Sequence, residues 1–341
     1  ILVMDESTSA LTDDAVEGLF DLIGCLRRSG VSIIYVSHKM DEIFRVCDRA
    51  TVLRDGRTVG TRDLADVTMD EVIAMMVGRP VDRSVCAACH RSTDPVLEVD
   101  RLRTDRLRDI SFTLHRGEVL GIAGLVGSGR SELGAALFGM RGHQGGEVRL
   151  GTERFAPRRP RQAMRRGLGL VPRDRKTMGL MMQMGVEENV SLCRLPALQR
   201  GGVILRAAER AQYDRIAGQT RLKTAGPGRA VSTLSGGNQQ KALLGRWLLV
   251  DPDVLFLDDP TRGVDVGAKE DIYALIESLA ADGKSILMVS SELPELLRCC
   301  DRILVMNDGR GVGVVDARRT SQQEIMALAA RPLAAAGGPD A

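Results

Sequence analysis

An internal repeat constrains the fold of this chain more than any other feature. The beginning and the end of the chain share a series of short strings at a constant offset of 253 positions, without a gap. The offset relates Asp5 to Asp258, and it relates the string DGR at 55–57 to the same string at 308–310. Chance explains one shared tripeptide but not a series in register. The sequence therefore predicts two copies of one domain type.

The two copies differ in how much chain precedes their shared strings. About 160 residues lie between position 96 and Asp258, whereas only four precede Asp5. We expect the first copy to lack most of its front half. Ile1 lies inside an apolar run with no initiator Met and no secretory signal, which agrees with a missing front.

The segment between the copies carries two prolines, mixed charge and no hydrophobic periodicity, which is typical of a linker. The predicted division has four parts, in chain order the C-terminal part of the first copy, a linker, the second copy and a tail. Their bounds are 1–78, 79–95, 96–330 and 331–341.

Composition predicts a globular chain, since 44% of the residues are hydrophobic and 27% are charged. The net charge of +2 provides no overall attraction for nucleic acid. Residues 141–176 hold eleven Lys and Arg against three Asp and Glu, but aromatic residues make up only 3% of the chain. Because base stacking needs aromatic side chains, we expect no nucleic-acid partner and interpret this segment as a solvated face.

Short β-branched runs alternate with helical stretches, which predicts an α/β fold with buried parallel strands. The candidate strands are residues 32–36, 96–99, 110–114, 118–122, 254–257 and 285–289. The candidate helices are residues 15–28, residues 268–281 and a helix that begins at Arg130.

A glycine-rich string, GIAGLVGSGRSEL at 121–133, joins a predicted strand to a predicted helix. Glycines allow backbone N–H groups to surround a phosphate, and the N-terminus of the helix adds its dipole. The pattern G-x-x-x-x-G-K-[ST] is met at Gly124, Gly129 and Ser131, but Arg130 replaces its lysine. The guanidinium keeps the positive charge, yet it is larger and planar. A glycine-rich turn without a ligand is the alternative.

Each copy also ends a hydrophobic strand with two carboxylates, Asp5–Glu6 and Asp258–Asp259. A strand-end aspartate can hold Mg²⁺, and its neighbour can orient an attacking water. Asp259 is one methylene shorter than Glu6, so we expect the second copy to hydrolyse poorly, if at all. Such pairs also cap helices, which is the structural alternative.

Two further positions belong to this pattern. His38 follows a strand of the first copy and can contact a phosphate or water, but its repeat partner Ser291 carries no titrating charge. The string LSGGNQQK begins at Leu234 and precedes a predicted helix, where its serine and glycines can form an anion-binding corner.

Together these strings resemble the ATP-binding cassette family and, within it, the tandem ATPase subunits of bacterial monosaccharide importers. The resemblance runs from Ile1 to about Leu328 and includes DPTRGVDVGAK at 259–269, VSSELPE at 289–295 and MVGRP at 76–80. It implies a P-loop NTPase cassette with a parallel-sheet core, a helical signature subdomain and an antiparallel β part. One copy would be partial and the other near-complete.

The resemblance implies a role for each matching residue. Asp5 and Asp258 would be the Walker B aspartates that hold Mg²⁺, with Asp259 beside the second. Glu6 would be the catalytic base, His38 the switch histidine and Ser291 the switch position of the second cassette. The altered Walker A loop would comprise Gly124, Gly127, Ser128, Gly129, Arg130 and Ser131. The signature that closes over nucleotide on the other cassette would comprise Leu234, Ser235, Gly236, Gly237, Asn238 and Gln239.

The family also implies ATP and Mg²⁺ as cofactors and separate integral-membrane permease subunits as partners, with a periplasmic or lipid-anchored sugar-binding protein acting indirectly. The chain would be an ATP hydrolase on the cytoplasmic face of the cell membrane, weak or inactive alone if truncated. The alternatives are a non-catalytic nucleotide-binding regulator and a tandem-cassette ATPase that acts on the ribosome.

Three positions depart from the family pattern. Ser7 stands where the family has proline, Arg173 where it has glutamate, and Asp259 where it has glutamate. Reversed charge at Arg173 puts coupling to the membrane partner in doubt. The predicted linker also contains C-x-x-C-H at Cys86, Cys89 and His90, a haem-attachment pattern. We interpret these as solvated linker residues, with a haem site or half of a zinc site as alternatives.

Overall fold

The computed structural model describes residues 1–5, 7–8, 13–37, 40–54, 56–77 and 90–331. The described residues fall into two compact units. One lies within residues 1–83 together with Asp265–Glu270, and the other within 84–264 together with 271–341. The exact bounds of the predicted linker and tail stay a prediction, because 78–89 and 332–341 lie outside the described residues.

The first unit pairs a short parallel sheet with an antiparallel hairpin. Strand β1 pairs in parallel with β2, and β3 pairs antiparallel with β4. Its core contains Met40, Val52, Leu64 and Val72. The elements are β1 (Leu2–Asp5), α1 (Asp13–Arg28), β2 (Ile33–Val36), α2 (Met40–Val46), β3 (Arg49–Arg54), β4 (Arg57–Asp63) and α3 (Met69–Val77).

The expectation of continuously buried strands is wrong for the first unit. Half-buried and exposed residues alternate along both β1 and β2, so Ile34 and Val36 are exposed. Successive side chains of a strand point to opposite faces, and the described residues cover this small sheet more fully on one face than on the other.

The second unit is built on a six-stranded sheet in the order β10-β13-β14-β7-β15-β16. Its strands pair in parallel except for the antiparallel pair of β15 and β16. Strands β13 and β14 are buried at every residue, which confirms the expectation of continuous buried strands here. The sheet strands are β7 (Val119–Gly124), β10 (Leu168–Val171), β13 (Val254–Asp258), β14 (Ser285–Val289), β15 (Arg302–Asn307) and β16 (Arg310–Asp316).

A second, antiparallel sheet has the order β6-β5-β8-β9. Leu97, Leu102, Ile110 and Leu114 from β5 and β6 are fully buried, and they anchor this sheet in the core. The remaining strands are β5 (Pro95–Arg103), β6 (Ile110–His115), β8 (Gly145–Leu150), β9 (Glu153–Arg154) and the hairpin of β11 (Gln199–Arg200) with β12 (Val203–Ile204).

The helices of the second unit include a packed group of α6, α7 and α8. Gly245 permits a close approach within this group, because a Cβ there would lie 2.6 Å from Cγ2 of Ile216. The helices are α4 (Arg130–Leu137), α5 (Pro160–Arg165), α6 (Val186–Ser191), α7 (Arg206–Thr220), α8 (Gly236–Val250), α9 (Val266–Ala281), α10 (Leu293–Cys299) and α11 (Gln322–Ala329). Among the described residues, no helix has the length and apolar character needed to cross a bilayer.

The strand order brings three chain segments to one edge of the main sheet. Strands β13, β14 and β7 are consecutive neighbours, with Asp258 opposite Val289 and Val289 opposite Ile122. Because the three strands run parallel, the residues that follow them emerge at the same edge. Ligands of open α/β sheets bind outside the carboxyl ends of the strands, so we expect a ligand-binding site at this edge.

Candidate functional site

The glycine-rich loop connects β7 to α4 at this edge. Gly124 has φ 154°, and a Cβ there would meet the carbonyl oxygen of Met306 and lie 2.5 Å from Oγ of Ser128. Gly129 has φ 95° and caps α4 in a left-handed conformation. Side chains at these positions would displace the loop. The glycines thus keep the backbone close to the first turn of α4, whose N–H groups lack partners within the helix and suit an anion.

A carboxylate faces this loop from the end of β13. Burial raises the pKa of the Asp258 carboxyl above its usual range, while the nearby hydroxyl of Ser131 acts in the opposite direction. Among the described residues, Oδ1 of Asp258 and Oγ of Ser128 are buried without a hydrogen-bond partner. A carboxylate oxygen and a hydroxyl beside a phosphate-binding loop are donors of the type that Mg²⁺ prefers. The donor set therefore fits a metal-bound nucleotide.

Arg130, which replaces the loop lysine, is buried at the start of α4. Its Nη1 donates to the carbonyl oxygen of Ser290 at 2.9 Å, directly after β14. Burial lowers the pKa of Arg130, while the charges of Asp259 and Asp258 act in the opposite direction. The guanidinium therefore ties α4 to the end of β14 and does not present all of its donors to the loop.

Asp259 is held on both sides. Its Oδ2 lies 2.9 Å from Nε of Arg173, and its Oδ1 accepts the backbone N–H of Ser291 at 2.6 Å. The residue is buried and adopts φ 48°, in the left-handed region. Since each carboxylate oxygen has a protein partner, the position of the Asp259 side chain is fixed by Arg173 and Ser291. Arg173 was expected to affect coupling; the structure places it against the carboxylate pair.

The string LSGGNQQK forms the start of α8. Ser235 is the N-cap, and its Oγ accepts a hydrogen bond from Nδ2 of Asn238 at 3.0 Å. Leu234, Gly236 and Asn238 are half-buried, Ser235 is exposed, and Gly237 and Gln239 are buried. The same Oγ also accepts the backbone N–H of Asn238, so the exposed Ser235 caps the first turn of this 15-residue helix.

Arg175 connects this helix to the segment after the carboxylates, a contact that the sequence did not indicate. Its Nε donates to Oε1 of Gln239 at 3.3 Å, and Nη2 donates to the carbonyl oxygen of Gly263 at 3.0 Å. Nη1 donates to the carbonyl oxygen of Arg262 at 2.5 Å. Arg175 is separated from Gln239 by 64 positions and from Gly263 by 88 positions. No local sequence pattern indicates contacts over such separations.

In the first unit the structure places part of the predicted site. Asp5 ends β1 with an exposed side chain, opposite Val36 at the end of β2. Glu6 and His38 lie outside the described residues, so their predicted roles stay predictions. Cys86 and Cys89 also lie outside the described residues, and His90 is half-buried.

The comparisons with known proteins agree with this geometry. A family model described as "ABC transporter" matches residues 107–262, which span the loop, the carboxylates and the signature string. A galactose/methyl galactoside import ATP-binding protein of Photobacterium profundum is 45% identical over 332 residues, covering 96% of this chain and 67% of the relative. The chain belongs to the ABC transporter ATP-binding family.

Further members show the same relationship. A ribose import ATP-binding protein of Chromobacterium violaceum is 46% identical over 330 residues, covering 96% of this chain and 66% of the relative. The chain spans about two thirds of the length of the curated relatives it matches.

Solved ABC cassettes share the fold. A nucleotide-free ATP-binding cassette from an ABC transporter matches with a TM-score of 0.57 at 21% identity, covering 70% of this chain and 96% of that structure. A dimeric cassette bound to ADP and Pi matches with a TM-score of 0.57 at 22% identity, covering 66% of this chain and all of that structure. The predicted P-loop NTPase cassette with parallel and antiparallel sheet parts is thereby confirmed.

Proposed function

We propose that this ABC protein is the ATP-binding and ATP-hydrolysing subunit of an importer that energises uptake of a monosaccharide. The relatives named above carry ribose and galactose import in their names, and they match nearly the whole of this chain. Those names favour the importer over the alternative of an ATPase that acts on the ribosome.

The observation that supports nucleotide binding most strongly is Oδ1 of Asp258, which is buried without a hydrogen-bond partner among the described residues, at the sheet edge where the glycine loop begins. A bound Mg²⁺ would supply positive charge that offsets the charge of the phosphates. Asp258 and Ser131 would hold this ion, the loop N–H groups would bind the phosphates, and Arg130 would fix the start of α4.

The second cassette is proposed to hold nucleotide and to hydrolyse it poorly. Asp259 is both shorter than a glutamate and engaged through its two oxygens by Arg173 and the N–H of Ser291. Efficient hydrolysis would instead depend on Asp5, Glu6 and His38 of the first copy.

The proposed partners are integral-membrane permease subunits, with a periplasmic or lipid-anchored sugar-binding protein acting through them. The chain would lie on the cytoplasmic face of the membrane as a peripheral subunit. The basic segment 141–176 is proposed to be a solvated face near anionic lipid or a permease loop.

The test is ATP-dependent uptake of ribose and of galactose into proteoliposomes that contain the full-length protein and its permease subunits. We expect uptake of one sugar with wild-type protein and its loss with Glu6→Gln. Uptake of neither sugar would overturn the assignment to these cargoes. ATP binding with no turnover, unchanged by Glu6→Gln, would support the regulatory alternative instead.

A further inference from the structure

We propose that Glu295 is a positioning residue that holds the ends of β13 and β14 together and so sets the geometry of the second nucleotide site. The proposal rests on the proposed ATP binding at that site. Glu295 itself lies in α10 and is buried.

Three hydroxyl groups converge on this carboxylate. Thr261 Oγ1 donates at 2.8 Å to Oε1 and at 2.7 Å to Oε2, and Ser290 Oγ lies 2.7 Å from Oε2. The phenol of Tyr273 in α9 donates to Oε1 at 2.7 Å. All four side chains are buried. We refer to Glu295 with Thr261, Ser290 and Tyr273 as the Glu295 junction.

Two of the three donors belong to the segments that carry the site. Thr261 follows Asp259 by two residues, and Ser290 directly precedes Ser291. The carbonyl oxygen of Ser290 accepts a hydrogen bond from Nη1 of Arg130, and the backbone N–H of Ser291 donates one to Oδ1 of Asp259. The junction therefore joins the two segments linked by the bond between Asp259 and Ser291, one of which also accepts the bond from Arg130.

The first copy contains the same junction at the repeat offset. Glu42 accepts Thr8 Oγ1 at 2.9 Å and Ser37 Oγ at 3.2 Å. Adding 253 to these positions gives Glu295, Thr261 and Ser290. The two copies therefore preserve the carboxylate and both donors from the strand ends.

The third donor comes from a different element in each copy. This distinguishes donors that only satisfy the buried carboxylate from donors that also belong to the site segments. In the first copy it is Tyr35 in β2, 2.8 Å from Glu42, and the repeat partner of Tyr35 is Met288. In the second copy it is Tyr273, whose repeat partner is Phe20. A tyrosine from either element satisfies the buried carboxylate, whereas Thr and Ser keep their places because they belong to the site segments.

The tyrosines remain donors over the neutral range. Burial, followed by the contact with Glu42, raises the pKa of Tyr35 to about 12. Burial and the charge of Glu295 also raise the pKa of Tyr273. Each buried carboxylate is therefore met by a protonated phenol, and removal of that phenol removes one bond without altering a site segment.

This difference gives a matched set of variants. Thr261→Val and Ser290→Ala each remove one hydroxyl donor from a site segment, while Tyr273→Phe removes one from α9. Each deletes a hydrogen bond to the same carboxylate with little change in volume. Ser290→Ala also removes the acceptor of the Glu292 N–H, at 3.0 Å, so Thr261→Val and Tyr273→Phe are the closer pair in stability. A purely structural junction predicts that any loss of affinity follows the loss of stability in all three.

The experiment is calorimetric titration of the full chain with Mg·ATP, well below the melting temperature of every variant. Ser131→Ala defines the binding that belongs to the second site. We expect Thr261→Val and Ser290→Ala to weaken that binding by about fivefold or more, since one hydrogen bond contributes about that factor. Tyr273→Phe should stay within about twofold of wild type while its Tm falls.

The outcomes separate the two proposals. Equal affinities in all three variants, or losses that simply follow Tm, would overturn the positioning role of Glu295. A wild-type chain with no binding that depends on Ser131 would overturn the proposed nucleotide site itself, whatever the junction variants do.

Discussion

At the scale of single residues, the carboxylate of Asp258, which we propose holds Mg²⁺, opposes stability. Its pKa is raised because burial penalises the charged form, and its Oδ1 has no partner among the described residues. A raised pKa means that the native state favours the protonated acid. This contribution to stability is therefore present below the ordinary pKa of aspartate and is lost as pH rises through the raised value. Above the raised pKa, the charged side chain lowers the stability of the fold.

The first prediction follows from the raised pKa of Asp258. Asp258→Asn removes the buried charge, so we expect Tm in EDTA to rise, by an amount equivalent to about 1 kcal/mol. Mg·ATP should then no longer raise the Tm of the variant, whereas it should raise that of wild type. Thermal melts with and without Mg·ATP measure both effects. A lower Tm together with intact stabilisation by Mg·ATP would contradict the role assigned to Asp258.

A second prediction concerns the pair of Arg173 and Asp259. Because Arg173 is 39% exposed and the side chain of Asp259 only 4%, solvent screens the pair in part. We expect a double-mutant cycle of Arg173→Gln and Asp259→Asn in urea to give a coupling of about 1 kcal/mol. The exposed pair Arg108–Asp308 is the matched control, with a coupling near zero expected. Equal couplings for the two pairs would show that Asp259 is not held by Arg173.

At the scale of elements, Gly134 of α4 allows the helix to pack closely against Phe256 of β13. A Cβ at Gly134 would lie 2.6 Å from Cε1 of Phe256, which is fully buried in β13. Gly134→Ala should therefore force the helix away from the strand and lower the free energy of unfolding by about 1–3 kcal/mol.

The matched control is Gly218→Ala in α7, where a Cβ would meet nothing within 4 Å. Because alanine favours helix there, we expect no loss and up to about 1 kcal/mol of gain. Urea unfolding of both variants measures the difference. A destabilised Gly218→Ala beside an unaffected Gly134→Ala would contradict the packing described for α4.

The elements also show what the sequence could predict. The run at 285–289 became β14 with the expected bounds, and the glycine string became a loop before α4, because local periodicity and glycine content determine both. The contact of Arg173 with Asp259 could not be predicted, since it depends on which strands become neighbours in the sheet. The Glu295 junction could not be predicted for the same reason. The sequence does show its Thr, Ser and Glu in both copies at the repeat offset, but not that they are in contact.

At the scale of the whole molecule, we propose that the two copies of one cassette perform different chemistry on related secondary structure. Both keep a strand-end aspartate and a buried glutamate junction, while Arg130, Asp259 and Ser291 distinguish the second copy. We infer that evolution of the second copy retained nucleotide binding and gave up efficient hydrolysis. The roles of Glu6 and His38 in the first copy remain predictions from the sequence.

The fate of ATP held by the second cassette tests this account most directly. Full-length protein carrying Glu6→Gln is loaded with α-³²P-labelled ATP and Mg²⁺, freed of unbound nucleotide, and the bound label is separated into ATP and ADP over time. The account predicts that the label is retained as ATP and that Ser131→Ala removes the share of it that the second site holds. Conversion of the retained label to ADP as fast as in the protein with Glu6 intact would contradict it.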